Sequence, residues 1–491
     1  MSHRIALLLV VGICLLASPR QLAAGESSQA SDPCACPCPD CPDNPCCTCR
    51  EPEKAACPPK IANRRFLEDW KPCLCVPCCE KDGWAERIKA VRLTRRHQVW
   101  VDFGGQVRAR YESFRNQGFG APADPDDDWL LARVRAHADV HVGDHVRVFL
   151  EGIWADQFDE RELGPRPIDI DRGDLLNAFG ELKGDLGFGA TSLWLGRREL
   201  ETGKQRLVSP LDWGNTRRTF EGGGLTWKRG VHGLDVWYTN PVVVDADDFN
   251  EKNDDVVFWG VDYANRQLTC ITWGAYAYGL SRDDVDEDRL TLGLRADGAI
   301  GGTRLDYDVE AAWQTGEIGT DDISAWMASA TVSWRPCTAC GDPKIGLGFD
   351  YASGDDDPAD GTQGRFDQLF PLGHAFLGHA DVIGRSNLLA ARVEGSYDIT
   401  KSLNLKAWFH AFWRADTADA AYNAAGGVLR AAGGSDARAI GTELDVMLTY
   451  KLDARWQAFV EWAHVFAGRF LEDTGASEDL DAIYLGLQGT F

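Results

Sequence analysis

Leu131-Ala132-Arg133-Val134-Arg135-Ala136-His137-Ala138-Asp139-Val140-His141-Val142 is the stretch whose reading decides the fold. Successive side chains of a strand point to opposite faces. One face of this strand is therefore Ala132, Val134, Ala136, Ala138, Val140 and Val142. The other is Leu131, Arg133, Arg135, His137, Asp139 and His141. A soluble sheet also alternates, so a single strand of this kind settles little. A series of them with the charged side inward fits a barrel that has lipid outside and water inside.

The series is present. Val101 to Glu112, Val146 to Trp154, Arg289 to Arg295, Arg304 to Trp313, Leu389 to Ile399, Leu403 to Arg414 and Glu443 to Lys451 all alternate apolar with polar residues. Trp or Tyr stands near the end of many apolar faces, as an interfacial girdle requires. The pattern predicts about eighteen strands between Val99 and the C-terminus, an even number as bacterial barrels have. Links alternate in length. Long ones are expected at Ser113–Asp128, Ala155–Asp174, Glu201–Arg218, Asn240–Asp254, Ser281–Glu287, Gln314–Ile323, Ala352–Arg385, Ala415–Ala439 and Ala467–Asp481. Tight turns separate them. Long loops outside and tight turns in the periplasm would place both termini in the periplasm.

The remaining composition agrees. The chain has 491 residues and a formal charge of −24. No run of 18 apolar residues suggests a membrane helix, and the acidic balance disfavours nucleic acid as a partner. His3 and Arg4 precede an apolar run from Ile5 to Ala17, and Leu22-Ala23-Ala24 offers a cleavage site, so residues 1–24 read as a secretory signal peptide. Residues 25–98 form a Cys/Pro-rich periplasmic segment with a short helix expected within Gly83–His97. Twelve of the 16 cysteines lie between Cys34 and Cys79. In an exported chain they read first as disulfides, with zinc at Cys38-x2-Cys41 and Cys75-x2-Cys78, and then free reactive thiols, as the alternatives. Cys337 and Cys340 are candidates for a disulfide within one turn.

The barrel portion resembles the alginate export family of outer-membrane barrels. Three stretches carry the likeness. The first is Leu195-Gly196-Arg197-Arg198-Glu199-Leu200 with Arg206-Leu207, Asp212-Trp213 and Arg217-Arg218-Thr219-Phe220, where Arg198 replaces the usual Gln. The second is Phe366-Asp367-Gln368-Leu369-Phe370-Pro371 with His374, Gly378, Ala380-Asp381 and Arg385-Ser386-Asn387-Leu388. The third is His410-Ala411-Phe412-Trp413-Arg414 with Ile440-Gly441-Thr442-Glu443-Leu444-Asp445. The resemblance implies an eighteen-stranded barrel, here residues 99–491, that passes an anionic polysaccharide through an arginine-lined pore. It does not explain the Cys-rich segment.

Arginine suits that task because its planar fork takes a carboxylate bidentately and stays charged. Alternation places Arg108, Arg110, Arg133, Arg135, Arg147, Arg289, Arg295, Arg304, Arg392, Lys406 and Arg414 on inward faces. The resemblance adds Arg197 and Arg385. Arg197 shares its parity with Leu193 and Leu195, so it reaches the pore only if Gly196 hosts a bulge. The same inward faces carry Asp102, Glu112, Asp139, Glu151, Asp306, Asp308, Glu310, Glu394, Glu443 and Asp445, and arginine–carboxylate ladders that merely brace the wall are the competing reading. His410 reads as a hydrogen-bonding wall residue, and Gly354–Pro358 as a solvated acidic loop rather than a calcium site. No cofactor is expected, and no Ser or Asp nucleophile with a positioned His points to an enzyme. The expected partners are an anionic polysaccharide, outer-membrane lipid and, as a candidate, a periplasmic secretion scaffold. A general or oligosaccharide-selective porin and a structural anchor built on the Cys-rich segment are the alternatives.

Overall fold

The structure is a computed structural model that describes residues 59–75, 83–94, 98–121, 126–159, 164–268, 271–301, 303–336 and 341–491. The expected signal peptide, most of the Cys-rich segment and the pair Cys337 and Cys340 lie outside the described residues. Contacts divide the chain into two units. One contains Asp69–Ala90, and the other contains Ile61–Glu68 and Val91–Phe491. In the first, Trp70, Cys73 and Leu74 are buried, and the short helix is a single turn, Trp84–Arg87.

In the second unit eighteen antiparallel strands form a closed sheet. They are β1 (Val99–Arg115), β2 (Asp127–Val142), β3 (Val146–Phe158), β4 (Asp171–Asp185), β5 (Ala190–Arg198), β6 (Phe220–Arg229), β7 (His232–Val243), β8 (Val256–Leu268) and β9 (Ile271–Arg282). They continue with β10 (Glu287–Ala299), β11 (Leu305–Ile318), β12 (Asp321–Trp334), β13 (Lys344–Ala352), β14 (Leu388–Asp398), β15 (Leu403–Trp413), β16 (Ala439–Lys451), β17 (Trp456–Ala467) and β18 (Leu480–Thr490). Each pairs with its neighbours in sequence, and β18 closes on β1 from Gln106↔Thr490 to Arg115↔Asp481. Closure removes the unpaired edges that lipid could not solvate. The last residue joins the seam: Phe491 exchanges backbone hydrogen bonds with Gly105, whose missing side chain leaves room for the Phe491 ring.

Alternation sorts the two faces as the sequence predicts. In β2 Arg133 and Arg135 are fully buried in the barrel, while Val142 is 46% exposed on the outside. The outer band includes Leu195, Leu294, Leu347 and Val460, all more than half exposed. Exposed Trp273, Trp334, Tyr397 and Tyr450 ring its short-turn end, and Tyr238, Trp313 and Trp326 lie toward the other. Several rings lie flat over a glycine directly across the ladder: Trp259 over Gly279, Tyr276 over Gly293 and Phe459 over Gly486. A Cβ at those glycines would collide with ring atoms, so the pairs pin register where a glycine alone would weaken it. Among the described residues no helix is long and apolar enough to cross a membrane.

Long links gather at one end, with two exceptions. Between β11 and β12 the expected long link Gln314–Ile323 shrinks to Gly319-Thr320. The ladder runs unbroken to Ile318↔Asp321, and Gly319 turns the chain at φ 57°. Glycine and polar residues here mark strand ends that still find backbone partners, not a loop. Ser281–Glu287 is likewise reduced to one short turn, Asp283–Val285.

If the outer band faces lipid, Leu294→Arg in mid-strand should destabilise the barrel by about 2–4 kcal/mol, and Leu186→Arg in a short turn by about 0–1 kcal/mol. The two leucines are 64% and 66% exposed, so equal losses in vesicle unfolding would contradict a membrane band.

Candidate functional site: a guanidinium column inside the barrel

Two long loops fold back into the barrel. Residues 199–219 and 353–387 carry buried Leu207, Val208, Phe366, Leu377 and Ile383. They bind each other through Phe370 N–H to Leu207 O (2.8 Å) and Ser209 N–H to Phe370 O (2.9 Å). Phe370 stacks edge-on against Phe220 and Phe258 of the wall, with centroids 5.1 and 4.9 Å apart.

The tip of the first loop, Asp212-Trp213-Gly214, meets the arginines of β1 and β2. Arg108 donates only to backbone carbonyls, those of Asp212 (2.7 Å), Trp213 (3.3 Å) and Gly214 (2.5 Å). Arg133 donates to Gly214 O (3.0 Å), Gln106 Oε1 (2.7 Å) and Asp212 Oδ1 (2.9 Å). Arg110 donates to Trp213 O (2.5 Å) and Glu112 (2.8 Å), and lies 4.1 Å from the Trp213 ring centroid. Asn215 ties the loop to the wall at the Ala132 carbonyl and to the link between β3 and β4 at the Asp169 carbonyl. Arg217 bridges Asp212 and the buried Glu199. Burial alone would raise the Asp212 pKa, but Arg217, Arg133 and Arg108 outweigh it and hold the carboxyl well below its ordinary value.

The other inward cations are placed differently. Arg135 pairs with Glu151 (2.9 Å), and Arg147 with Asp139 (2.7 Å) and Glu181 (3.1 Å). Arg289 pairs with Glu287 (2.5 Å) and Arg295 with Asp262 (2.5 and 2.8 Å). Arg385 and Arg392 share Asp350, and Arg392 also meets Glu394 (3.1 Å). These contacts brace the wall. Arg414 donates to the carbonyls of Thr417, Asp419, Ser435 and Ala437, and lies 3.9 Å from the Phe470 ring centroid, so it knits the long-loop end together. Lys406 is exposed, and Arg304 sits in a turn against Pro336 O.

Gly196 makes no bulge. Its φ is 128°, yet pairing on both sides runs one-to-one. Arg197 therefore keeps the outward parity of the exposed Leu193 and Leu195, bound by Asp174 (2.7 Å), Glu221 (3.3 Å) and Asn250 O (2.7 Å). It joins the strand ends to the residues 244–255 link and is not part of the inner column.

Alternation did not reveal Ile61–Glu68. Phe66 lies edge-on to Phe149 (5.7 Å) and Phe179 (5.3 Å) and accepts a bond from Arg147 (2.7 Å) at its carbonyl. Arg65 donates to Gly105 O (2.7 Å) and Phe491 O (3.0 Å), and Asn63 accepts from Arg217 (3.0 Å). A cavity of about 370 Å³ lies between this segment and the short-turn end, lined by Asn63, Gln106, Asp212, Lys451, Arg455 and Gln488. A lone Phe after two arginines carries no periodic signal, which is why strand pattern alone misses it.

A closed eighteen-stranded barrel with an apolar outside and a charged inside defines an outer-membrane porin or export channel. The family model for alginate export matches residues 99–484, and the chain belongs to that family. Among solved structures it is similar to Pseudomonas aeruginosa OccK9 (OpdG), with a TM-score of 0.58 and 15% identity over 80% of this chain and 98% of that one. OpdO from the same organism gives 0.56 and 15%, over 80% and 97%. The outer membrane protein OprD, also from P. aeruginosa, gives 0.55 and 12%, over 80% and 93%. At these identities the likeness speaks for the fold alone. No curated protein matches the chain significantly.

Asp212→Asn should cost about 2 kcal/mol near neutral pH, as expected for hydrogen bonds to charged groups. The folded-state pKa of Asp212 is depressed, so its stabilisation is complete above the ordinary carboxylate pKa of about 4 and fades as pH falls below it. Urea unfolding of wild type and variant should therefore show a constant gap from about pH 8 to 5 that narrows below about pH 4. A gap independent of pH would exclude the ion pair as its source.

Proposed function

We propose that the barrel conducts an anionic polysaccharide, an alginate-like polyuronate, across the outer membrane, with both termini in the periplasm. The observation that carries this reading is the bonding of Arg108, Arg110 and Arg133. Arg108 is met by the backbone carbonyls of Asp212, Trp213 and Gly214 alone, and Arg110 and Arg133 each divide their donors between these carbonyls and one carboxylate, Glu112 and Asp212 respectively; such carbonyls are weaker partners than carboxylates. A uronate carboxylate entering the barrel competes for the same donors. The loop tip then holds the column in the absence of substrate, and sugar carboxylates replace it one after another during passage. Arg135, Arg147, Arg385 and Arg392, which the loop tip does not touch, hold the wall and contribute field rather than contact. Attraction per contact stays at about 1 kcal/mol across water and a few in shielded surroundings, which suits a site that must bind and release. Family membership supports transport rather than catalysis.

Planar-bilayer currents test this. Polyuronate should modulate the wild-type current where a neutral glycan of equal length does not. The triple variant Arg108→Gln, Arg110→Gln, Arg133→Gln should weaken that effect about a hundredfold, since each lost charged contact of about 1 kcal/mol contributes roughly fivefold. A current indifferent to polyuronate would favour a general porin. A polyuronate effect untouched by the triple variant would move the contact site elsewhere.

A further inference from the structure

Most buried carboxylates described above have an arginine partner. One patch of the interior does not follow that rule. On β16 and β17, Glu443, Asp445 and Glu461 point inward and are fully buried. Glu461 Oε2, Glu443 Oε2 and both Asp445 carboxylate oxygens lack a hydrogen-bond partner. The second luminal loop presents two histidines to this patch. His379 Nδ1 touches Glu461 Oε1, and the His374 ring centre lies 4.5 Å from that of His379. Neither ring nitrogen of His374 makes a hydrogen bond, although the residue is only 7% exposed. Its ring is stacked on Trp213 with centroids 3.5 Å apart, which fixes its orientation. One donor atom each from His374, His379 and Glu461 lies within 4.8 Å of the others.

Buried carboxylate oxygens without a hydrogen-bond donor and a buried imidazole with both nitrogens unused are costly. One divalent cation would satisfy Glu461 and the His374 ring together, while Asp445 faces His410 Nε2 at 3.4 Å. Two imidazoles and a carboxylate form the donor set that zinc-class ions prefer over calcium or magnesium, which take oxygen ligands. We propose that His374, His379 and Glu461 bind one divalent transition-metal ion of the zinc class. The ion fastens the loop of residues 353–387 to β17. Ala380 N–H, which donates to Glu443 Oε1 at 2.7 Å, holds the adjoining backbone in register for it. The site is independent of which polymer the barrel carries. It adds a latch to the loop that, with residues 199–219, fills the interior.

The test uses the full chain, folded in detergent, with free thiols alkylated so that the N-terminal cysteines do not compete. Cobalt(II) should bind one equivalent with a visible spectrum, zinc should displace it, and calcium and magnesium should not. His374→Gln and Glu461→Gln should each weaken binding about a hundredfold or more, because even ligand-supporting residues matter by 10–100-fold. His464→Gln, at a histidine paired instead with Asp481, should leave it unchanged. X-ray absorption of the cobalt-loaded wild type should show a nitrogen and oxygen shell with imidazole scattering, a readout that needs no variant to fold. Absence of bound cobalt, a sulfur shell, or binding that survives both variants would overturn the proposal.

Discussion

Guanidinium groups cannot be buried inside a barrel unless something meets their donors, and that constraint shapes the rest of this structure. Arg108, Arg110, Arg133 and Arg135 stand on the inner faces of β1 and β2, three of them almost wholly shielded. The wall supplies Glu112 and Glu151. Further donors of Arg108, Arg110 and Arg133 are met by a loop that leaves the wall after β5 and brings Asp212-Trp213-Gly214 to the column. Arg217 and Glu199 then fix the loop's stem. The interior is thus a network in which nearly every charge has a local partner, and removing one partner leaves another buried charge exposed to the full cost of desolvation.

The loops depend on each other as well. The ladder between Leu207, Ser209 and Phe370 couples the loop holding the arginines to the loop holding His374 and His379. Trp213 lies between Arg110 and His374. A change at the guanidinium column therefore has a direct packed route to the histidine patch, through one indole. Ile61–Glu68 supports the other side, where Asn63 meets Arg217.

Alternation made the wall legible. Ala132–Val142 announces both its faces, and the inward placement of Arg133 and Arg135 follows from parity alone. The eighteen strands follow for the same reason, since a two-sided environment writes itself into every second residue. Parity also gave the right warning at Arg197, where unbroken pairing keeps the side chain outward. The interior loops were not legible, because a loop packed inside a barrel has no period. Phe366, Leu207 and Phe66 look like ordinary apolar residues between polar ones. The family motifs marked Asp212-Trp213 and Arg217-Arg218 as a unit, but not that the tip folds inward onto β1 and β2. Nor does sequence separate arginines met by carbonyls, such as Arg108, from those met by carboxylates, such as Arg147; that distinction depends on which loop lies opposite.

The central claim is that polyuronate carboxylates replace the loop tip on the arginine column. Amide hydrogen exchange reads this directly. Asn215 and Thr216 both donate to Ile168 O at 2.9 Å, and Arg218 donates to Pro210 O at 2.9 Å; all three bonds hold the tip in place. Polyuronate, and not a neutral glycan, should accelerate exchange at these three amides in the reconstituted protein. Unchanged protection under conditions where polyuronate alters the current would contradict the account.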